Sequence, residues 1–260
     1  MDSQNSDLAP LLARRDLWLL VSAGFVDPYH HERFALLKDA DFRHRVQYAA
    51  ELVTQECPEI ELGRGEVSAR KLMPVALFAA LDAESESIER SYRVLFGLTI
   101  SELCPPCGVE YEPNADVAYR AQQMADIAGF YRAFGLEVSG KRGERLDHIV
   151  VEAEFLYLLN AKEAAALSVG RGEQAEVCRT ARKRFFAEHV GWWLPGFAQL
   201  LIKASQSDFY RRCAALTASL SAIERTSLGL TPFKGRVVAN PTSEEAEAEC
   251  SRCVANQIRP

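Results

Sequence analysis

The stretch from Ile149 to about Leu167 constrains the fold more than any other. Its pattern is helical and apolar almost all round, with Phe155, Leu156, Tyr157, Leu158 and Leu159 in a row. A helix with no polar face needs cover on every side, which places it at the centre of a bundle. The rest of the chain supplies the cover, since helical periodicity dominates and long alternating β-branched runs are absent. Residues 8–26 read as one helix, ended near Asp27-Pro28. Residues 30–57 read as one or two helices, stopped by Cys57-Pro58, and 59–66, with Gly63 and Gly65, as a loop. Two more helices cover 68–82 and 84–96, the second ended by Gly97.

Residues 97–113 hold Pro105, Pro106, Gly108 and Pro113 and form the longest interior non-helical stretch. Asn114 is placed to cap the next helix. Along it Val117, Ala121, Met124, Ala128 and Tyr131 make one apolar stripe, and Ile127, Phe130 and Phe134 a second, so its C-terminal half should be buried on two sides. Gly135 is placed to end it. After a polar loop over 137–146, Asp147 reads as the N-cap of the central helix. Further helices fall in 172–193 and 195–226, with Pro195 near a helix start. The expectation is one all-α domain, a bundle of about nine helices over 1–226, followed by an irregular or partly disordered tail over 227–260.

Composition excludes several classes. With 260 residues, 48% hydrophobic and 25% charged, the chain has the balance of a globular domain rather than a disordered one. No apolar run reaches the roughly 18 residues of a membrane-spanning helix. A net charge of −6 argues against nucleic acid as a partner and suits a cationic one. Arg14-Arg15 precede an apolar run from Leu17 to Val26, but Asp16 intervenes and the run reads better as the buried side of a first helix than as an export signal. The seven cysteines are an odd number in a chain too large to need staples, so no structural disulfide and a reduced setting are expected.

Candidate chemistry is sparse. Cys104-Pro-Pro-Cys107 and Cys250-Ser-Arg-Cys253 could together offer four thiolates to zinc, though their separation matches no known ribbon or finger. A thiol- or zinc-binding helical protein is therefore one reading and a helical regulatory scaffold another, while unligated apolar thiols remain the plainer account. The histidines show no H-x-x-x-H or H-E-x-x-H spacing, and G-x-S-x-G, Walker A and G-x-G-x-x-G are absent. Arg179, Arg182 and Lys183 share a helix face that reads as solvated or as an anion site. The polar cluster Glu144, Asp147 and His148, where a loop enters the central helix, is the most informative feature.

At this cluster the residues carry a resemblance. Met124-Ala-Asp126-Ile-Ala-Gly-Phe130-Tyr131-Arg-Ala-Phe134-Gly135 and the E-x-x-D-H stretch Glu144, Asp147, His148 resemble the signatures of the TorD/DmsD/NarJ-type molybdoenzyme maturation chaperones. Cys104-Pro-Pro-Cys107-Gly-Val-Glu110-Tyr111-Glu112 resembles the P-P-x-x-x-E-Y element of the subgroup serving type II dimethyl sulfoxide reductase family enzymes. Phe186-Ala-Glu-His189-Val-Gly-Trp192-Trp193-Leu-Pro195 is similar to the family's F-x-x-H-x-x-x-W-x-P ending. Many relatives carry a proline inside the acidic motif, where this chain has Arg145-Leu146.

The resemblance implies a TorD-like fold and a cytoplasmic protein without catalytic activity. It implies binding of the apo catalytic subunit of a molybdopterin oxidoreductase, often at its twin-arginine signal peptide, so that export waits for cofactor insertion. No tightly bound cofactor is implied, and transient contact with molybdopterin or a guanine nucleotide is left open, as is the choice between monomer and dimer. A signal peptide has a cationic head and an apolar middle, which calls for an apolar groove flanked by carboxylates. The residues expected at that site are Glu110, Tyr111, Asp126, Phe130, Glu144, Asp147, His148, Trp192 and Trp193.

Overall fold

A computed structural model describes residues 2–29, 32–56, 59–97, 104–113, 116–136 and 144–240, with side chains from residue 8 onward. Among the described residues there are nine α-helices and no strand. They are α1 (Asp2–Phe25), α2 (Ala40–Glu56), α3 (Pro74–Ala83), α4 (Ile88–Phe96), α5 (Val117–Ala133), α6 (Ile149–Ser168), α7 (Gly172–Phe185), α8 (Leu194–Ala204) and α9 (Asp208–Ser227). Short 3-10 turns cover Glu32–Lys38, Ala69–Lys71 and Gly108–Tyr111, and α7 runs on into a π turn over Phe186–Val190. No described helix is long and apolar enough to cross a membrane.

The all-α expectation holds, but the centre of the bundle is not where the sequence placed it. Helix α6 packs chiefly on α1 and α7, and its stripe Val151, Glu154, Leu158 and Ala161 stays half-buried. Burial is deepest on α9, where every residue from Leu216 to Arg225 is buried. Its small Ala, Ser and Thr side chains let α1, α3 and α8 approach closely, and such residues give little hydrophobic signal. The segment 195–226 is two helices, because extended Ser205 breaks it. Ser207 then caps α9 by accepting from Tyr210 N, while the Glu84 carboxylate takes Asp208 N at 2.6 Å.

The run after Arg14-Arg15 is core: Leu17, Trp18, Leu20 and Val21 are buried. Helix α5 behaves differently along its length. Its N-cap is Asp116, which accepts from Tyr119 N at 3.0 Å, while Asn114 lies outside the described residues. Val117 and Ala121 are exposed, so the first stripe packs only from Met124 onward. Further along, Phe130, Tyr131 and Phe134 meet Phe155 of α6, and Phe130 and Tyr131 meet Phe185 of α7, with centroids 4.9–6.5 Å apart. Gly135, at φ 76°, turns the chain out of the helix as expected.

Beyond α9, residues 228–240 are irregular but held to the body. Leu230 O accepts from Arg225 at 3.0 Å, Phe233 O from Arg64 N at 2.8 Å, and Asn240 N donates to Glu110 O at 2.6 Å. The rest of the expected tail, 241–260, lies outside the described residues.

A buried ion cluster joins four helices. Arg182 of α7 donates to Glu224 of α9 at 2.5 Å and to Glu163 of α6 at 3.0 Å, and Trp18 of α1 donates to Glu224 at 3.2 Å. Removing one member of such a cluster leaves buried charge uncompensated. Arg182→Met is therefore expected to lower unfolding free energy by about 3–5 kcal/mol in urea denaturation. Arg184→Ala, which breaks the exposed Arg184–Glu188 pair, should cost no more than about 0.5 kcal/mol.

Candidate functional site

Two loops meet edge to edge at the start of α6. Ile149 N donates to Pro106 O at 2.8 Å and Gly108 N to Asp147 O at 2.9 Å, an isolated antiparallel bridge between Cys107 and His148. This bridge brings the Cys104–Glu112 element and the acidic motif together.

Asp147 is not the helix cap. That role falls to His148, whose Nδ1 accepts from Val150 N at 3.2 Å. Asp147 turns inward instead and is fully buried. Its Oδ2 accepts from Val109 N at 2.9 Å, and Arg145 grips both oxygens at 3.0 Å. Arg145 also donates to Glu110 Oε1 at 2.6 Å, while Arg120 of α5 lies 3.5 Å from Glu110 Oε2. Burial opposes the Arg145 charge, but Asp147, Cys107 and Glu110 outweigh it and push its pKa up. Arg145, inside the acidic motif, is the residue that sequence reasoning missed, since it read only as a departure from the motif.

Burial, followed by the Arg145 charge, lowers the His148 pKa to about 3, so its imidazole is neutral across the ordinary pH range. Glu144 sits 3.8 Å from the His148 Nε2, beyond hydrogen-bond range, with its side chain largely at the surface. Burial and Asp27 raise the Glu144 pKa.

The π turn forms the second wall. Trp193 stacks on Tyr111, centroids 5.3 Å apart, and donates its indole N–H to His189 O at 2.7 Å. Tyr111 donates to Pro105 O at 2.9 Å. Gly108 lies under the indole, where a Cβ would come within 2.8 Å of Trp193 Nε1, so a side chain there would lift the loop. The His189 ring lies against Phe130 and Phe185, and its Nε2 is 2.9 Å from Asp126 Oδ2.

The expected residues thus separate into two groups. Glu110, Tyr111, Asp147, His148 and Trp193 are buried together and hold the loops. Glu144 and Asp126 are exposed and Phe130 is half-buried. Half-buried Trp192 lines a crevice of about 10 Å³ together with Glu112, Asp147, Glu152, Glu188 and His189. Asp126 reaches its edge through His189, and Glu144 lies apart, towards Asp27. Glu152 is a second residue missed from sequence: it is 1% exposed, and burial and then Asp147 raise its pKa well above the carboxylate range. Its run, Val150 to Leu156, follows the motif as in the resembling family, but nothing in it gave Glu152 a role of its own.

Cys104 and Cys107 are buried, and burial, then Asp147, raises the Cys107 pKa well above normal. Neither belongs to a group of three metal ligands among the described residues. Cys250 and Cys253 lie outside those residues.

Comparison with known proteins identifies the scaffold. A match to the nitrate reductase delta subunit family spans residues 68–199, from the turn before α3 to the middle of α8. The chain belongs to this family. The matched span contains both loops, α5, α6 and the π turn, so the candidate site lies wholly within what this nitrate reductase delta subunit family member shares with its family.

The chain is 34% identical over 113 residues to the chlorate reductase assembly chaperone protein of Ideonella dechloratans, 44% of this chain and 56% of that protein. It is 35% identical over 106 residues to the selenate reductase assembly chaperone protein of Thauera selenatis, covering 41% and 53%. A third similarity, 34% over 72 residues, is to the perchlorate reductase assembly chaperone protein of Dechloromonas aromatica (strain RCB), covering 28% and 31%. The chain spans about half the length of the first two. No solved structure matches it.

Because both oxygens of Asp147 are engaged inside the protein, Asp147→Asn should not be neutral to stability. Losing the charge-assisted bonds to Arg145 is expected to cost roughly 1.5–3 kcal/mol, read by urea denaturation. His148→Asn should keep the cap, because asparagine also accepts from the first turn. Wild-type His148 takes up a proton in the unfolded chain below about pH 6.5 but stays neutral when folded down to about pH 3, so it makes stability fall as pH drops through that window. His148→Asn is expected to flatten that part of a stability–pH curve.

Proposed function

We propose that the chain is a maturation chaperone for the catalytic subunit of a type II dimethyl sulfoxide reductase family molybdoenzyme, and that it is not itself an enzyme. Similarity to three oxyanion reductase assembly chaperones, in a chain of the nitrate reductase delta subunit family, carries this reading. The client is the apo subunit, bound in the cytoplasm through its twin-arginine signal peptide, so that export waits for the molybdopterin cofactor.

The chemistry of the site supports this choice of ligand. The buried group, Glu110, Asp147 and Arg145, fixes the loops and has no free charge for a client. The exposed Glu144 and Asp126 carboxylates meet the basic head, and half-buried Phe130 and Trp192 meet the apolar stretch. Arginine pairs with such carboxylates in a bidentate geometry. The net charge of −6 speeds the encounter with a cationic peptide at low salt.

Calorimetric titration with the signal peptide of a type II family catalytic subunit tests this. Binding is expected, and Glu144→Gln combined with Asp126→Asn should weaken it about tenfold or more while the melt is unchanged. A peptide with both arginines replaced by glutamine should lose most of its affinity. Equal affinity for the two peptides would remove the signal peptide as the client segment.

A further inference from the structure

We propose that Asp126, Glu188 and His189 form a binding site for a divalent transition metal, with the chemistry of zinc, backed by the buried carboxylate of Glu152. One donor atom from each of the three residues lies within 4.8 Å of the others, and His189 Nε2 is already 2.9 Å from Asp126 Oδ2. The residues come from two elements, Asp126 from α5 and the other two from the π turn. Neighbouring residues of an α-helix do not face one another. Here Glu188 and His189 offer donors to one point, and they do so in a π turn, a geometry frequent at functional sites.

The donor set selects the ion. Imidazole and carboxylate are zinc ligand types, and three protein ligands with a position left for water is the ligand number of an open zinc site. Calcium and magnesium favour more ligands, all oxygen. The imidazole moves the preference to the later first-row ions, for which affinity rises from manganese towards copper and zinc.

A second, independent observation points to a cation. Glu152 of α6 lines the same crevice as Glu188 and His189, is 1% exposed, and has no hydrogen-bond partner for either oxygen. The neighbouring Trp193 indole is taken by the His189 carbonyl oxygen. A buried carboxyl without a donor is costly to keep. A metal ion and its water in the crevice would supply that donor. The space, about 10 Å³, suits an ion or a single water rather than an organic group. Glu112 adds a carboxyl group, and no lysine or arginine lines the crevice. Glu188 would have to leave Arg184, an exposed pair at 3.3 Å that is weak by nature. The bound ion would fasten α5 to the π turn, a contact now made by rings and by the Asp126–His189 bond.

The test titrates the untagged, chelator-treated full chain with Co²⁺, then displaces it with Zn²⁺. One equivalent should bind, with visible d–d bands and no thiolate charge-transfer band. Asp126→Asn and Glu188→Gln change surface side chains and should each weaken binding at least tenfold, with circular dichroism unchanged. Glu152→Gln should weaken it several-fold without altering the Co²⁺ spectrum. Cys250→Ser with Cys253→Ser should leave affinity as it is. The proposal falls if no equivalent binds, if Asp126→Asn and Glu188→Gln bind like the parent chain, or if a thiolate band appears and vanishes in the cysteine variant.

Discussion

The carboxylate of Glu224 is the point on which the bundle closes. It lies on the most deeply buried helix, with no exposure, and could not be accommodated there without partners. Arg182 and Trp18 supply them from two other helices, and Arg182 carries the connection on to Glu163 of a third. Apolar packing alone would let helices slide or rotate past one another at modest cost. A shared buried charge does not, because each misplacement leaves a polar atom without its bond. The same logic recurs one residue on, where Arg225 grips Glu66 through Nε and Nη2 and reaches the carbonyls of Glu61 and Leu230. One turn of α9 thus fixes both the helices around it and the loops that cap it.

The candidate site repeats this arrangement on a smaller scale. Arg145 occupies the position of the buried cation, and Asp147 and Glu110 are its carboxylates. What a motif of acidic residues offers to a ligand therefore depends on which members the protein has already engaged. The interior members make a rigid floor, while Glu144 and Asp126 stay exposed. The π turn adds the aromatic wall, with Trp193 locked between Tyr111 and the His189 carbonyl.

Much of this was legible in the sequence because it depends on period and punctuation. The bounds of α6, the end of α4 at Gly97 and the end of α5 at Gly135 follow from apolar repeats and from glycines at positive φ. The elements that meet at the site were legible through a motif resemblance. What stayed hidden depends on partners distant in sequence. Asp and His are both competent caps, and only the pull of Val109 N and Arg145 on Asp147 decides between them. The burial of α9 was hidden because serine, threonine and alanine carry no strong apolar signal, and Glu152 because its environment is made by other segments.

The path of residues 228–240 bears on where this protein can be cut. The segment looks dispensable in a sequence because it has no periodicity. Yet its backbone carbonyls receive Arg225 Nη1, Arg64 N and Arg120 Nη2, and Val237 sits over Gly196 with less room than a Cβ would need. A fragment ending with α9 would remove the carbonyl acceptors of these three donors and would bare the backbone carbonyl of Glu110. The extent of the folded body among the described residues is therefore marked by hydrogen bonding rather than by secondary structure, and it reaches Asn240.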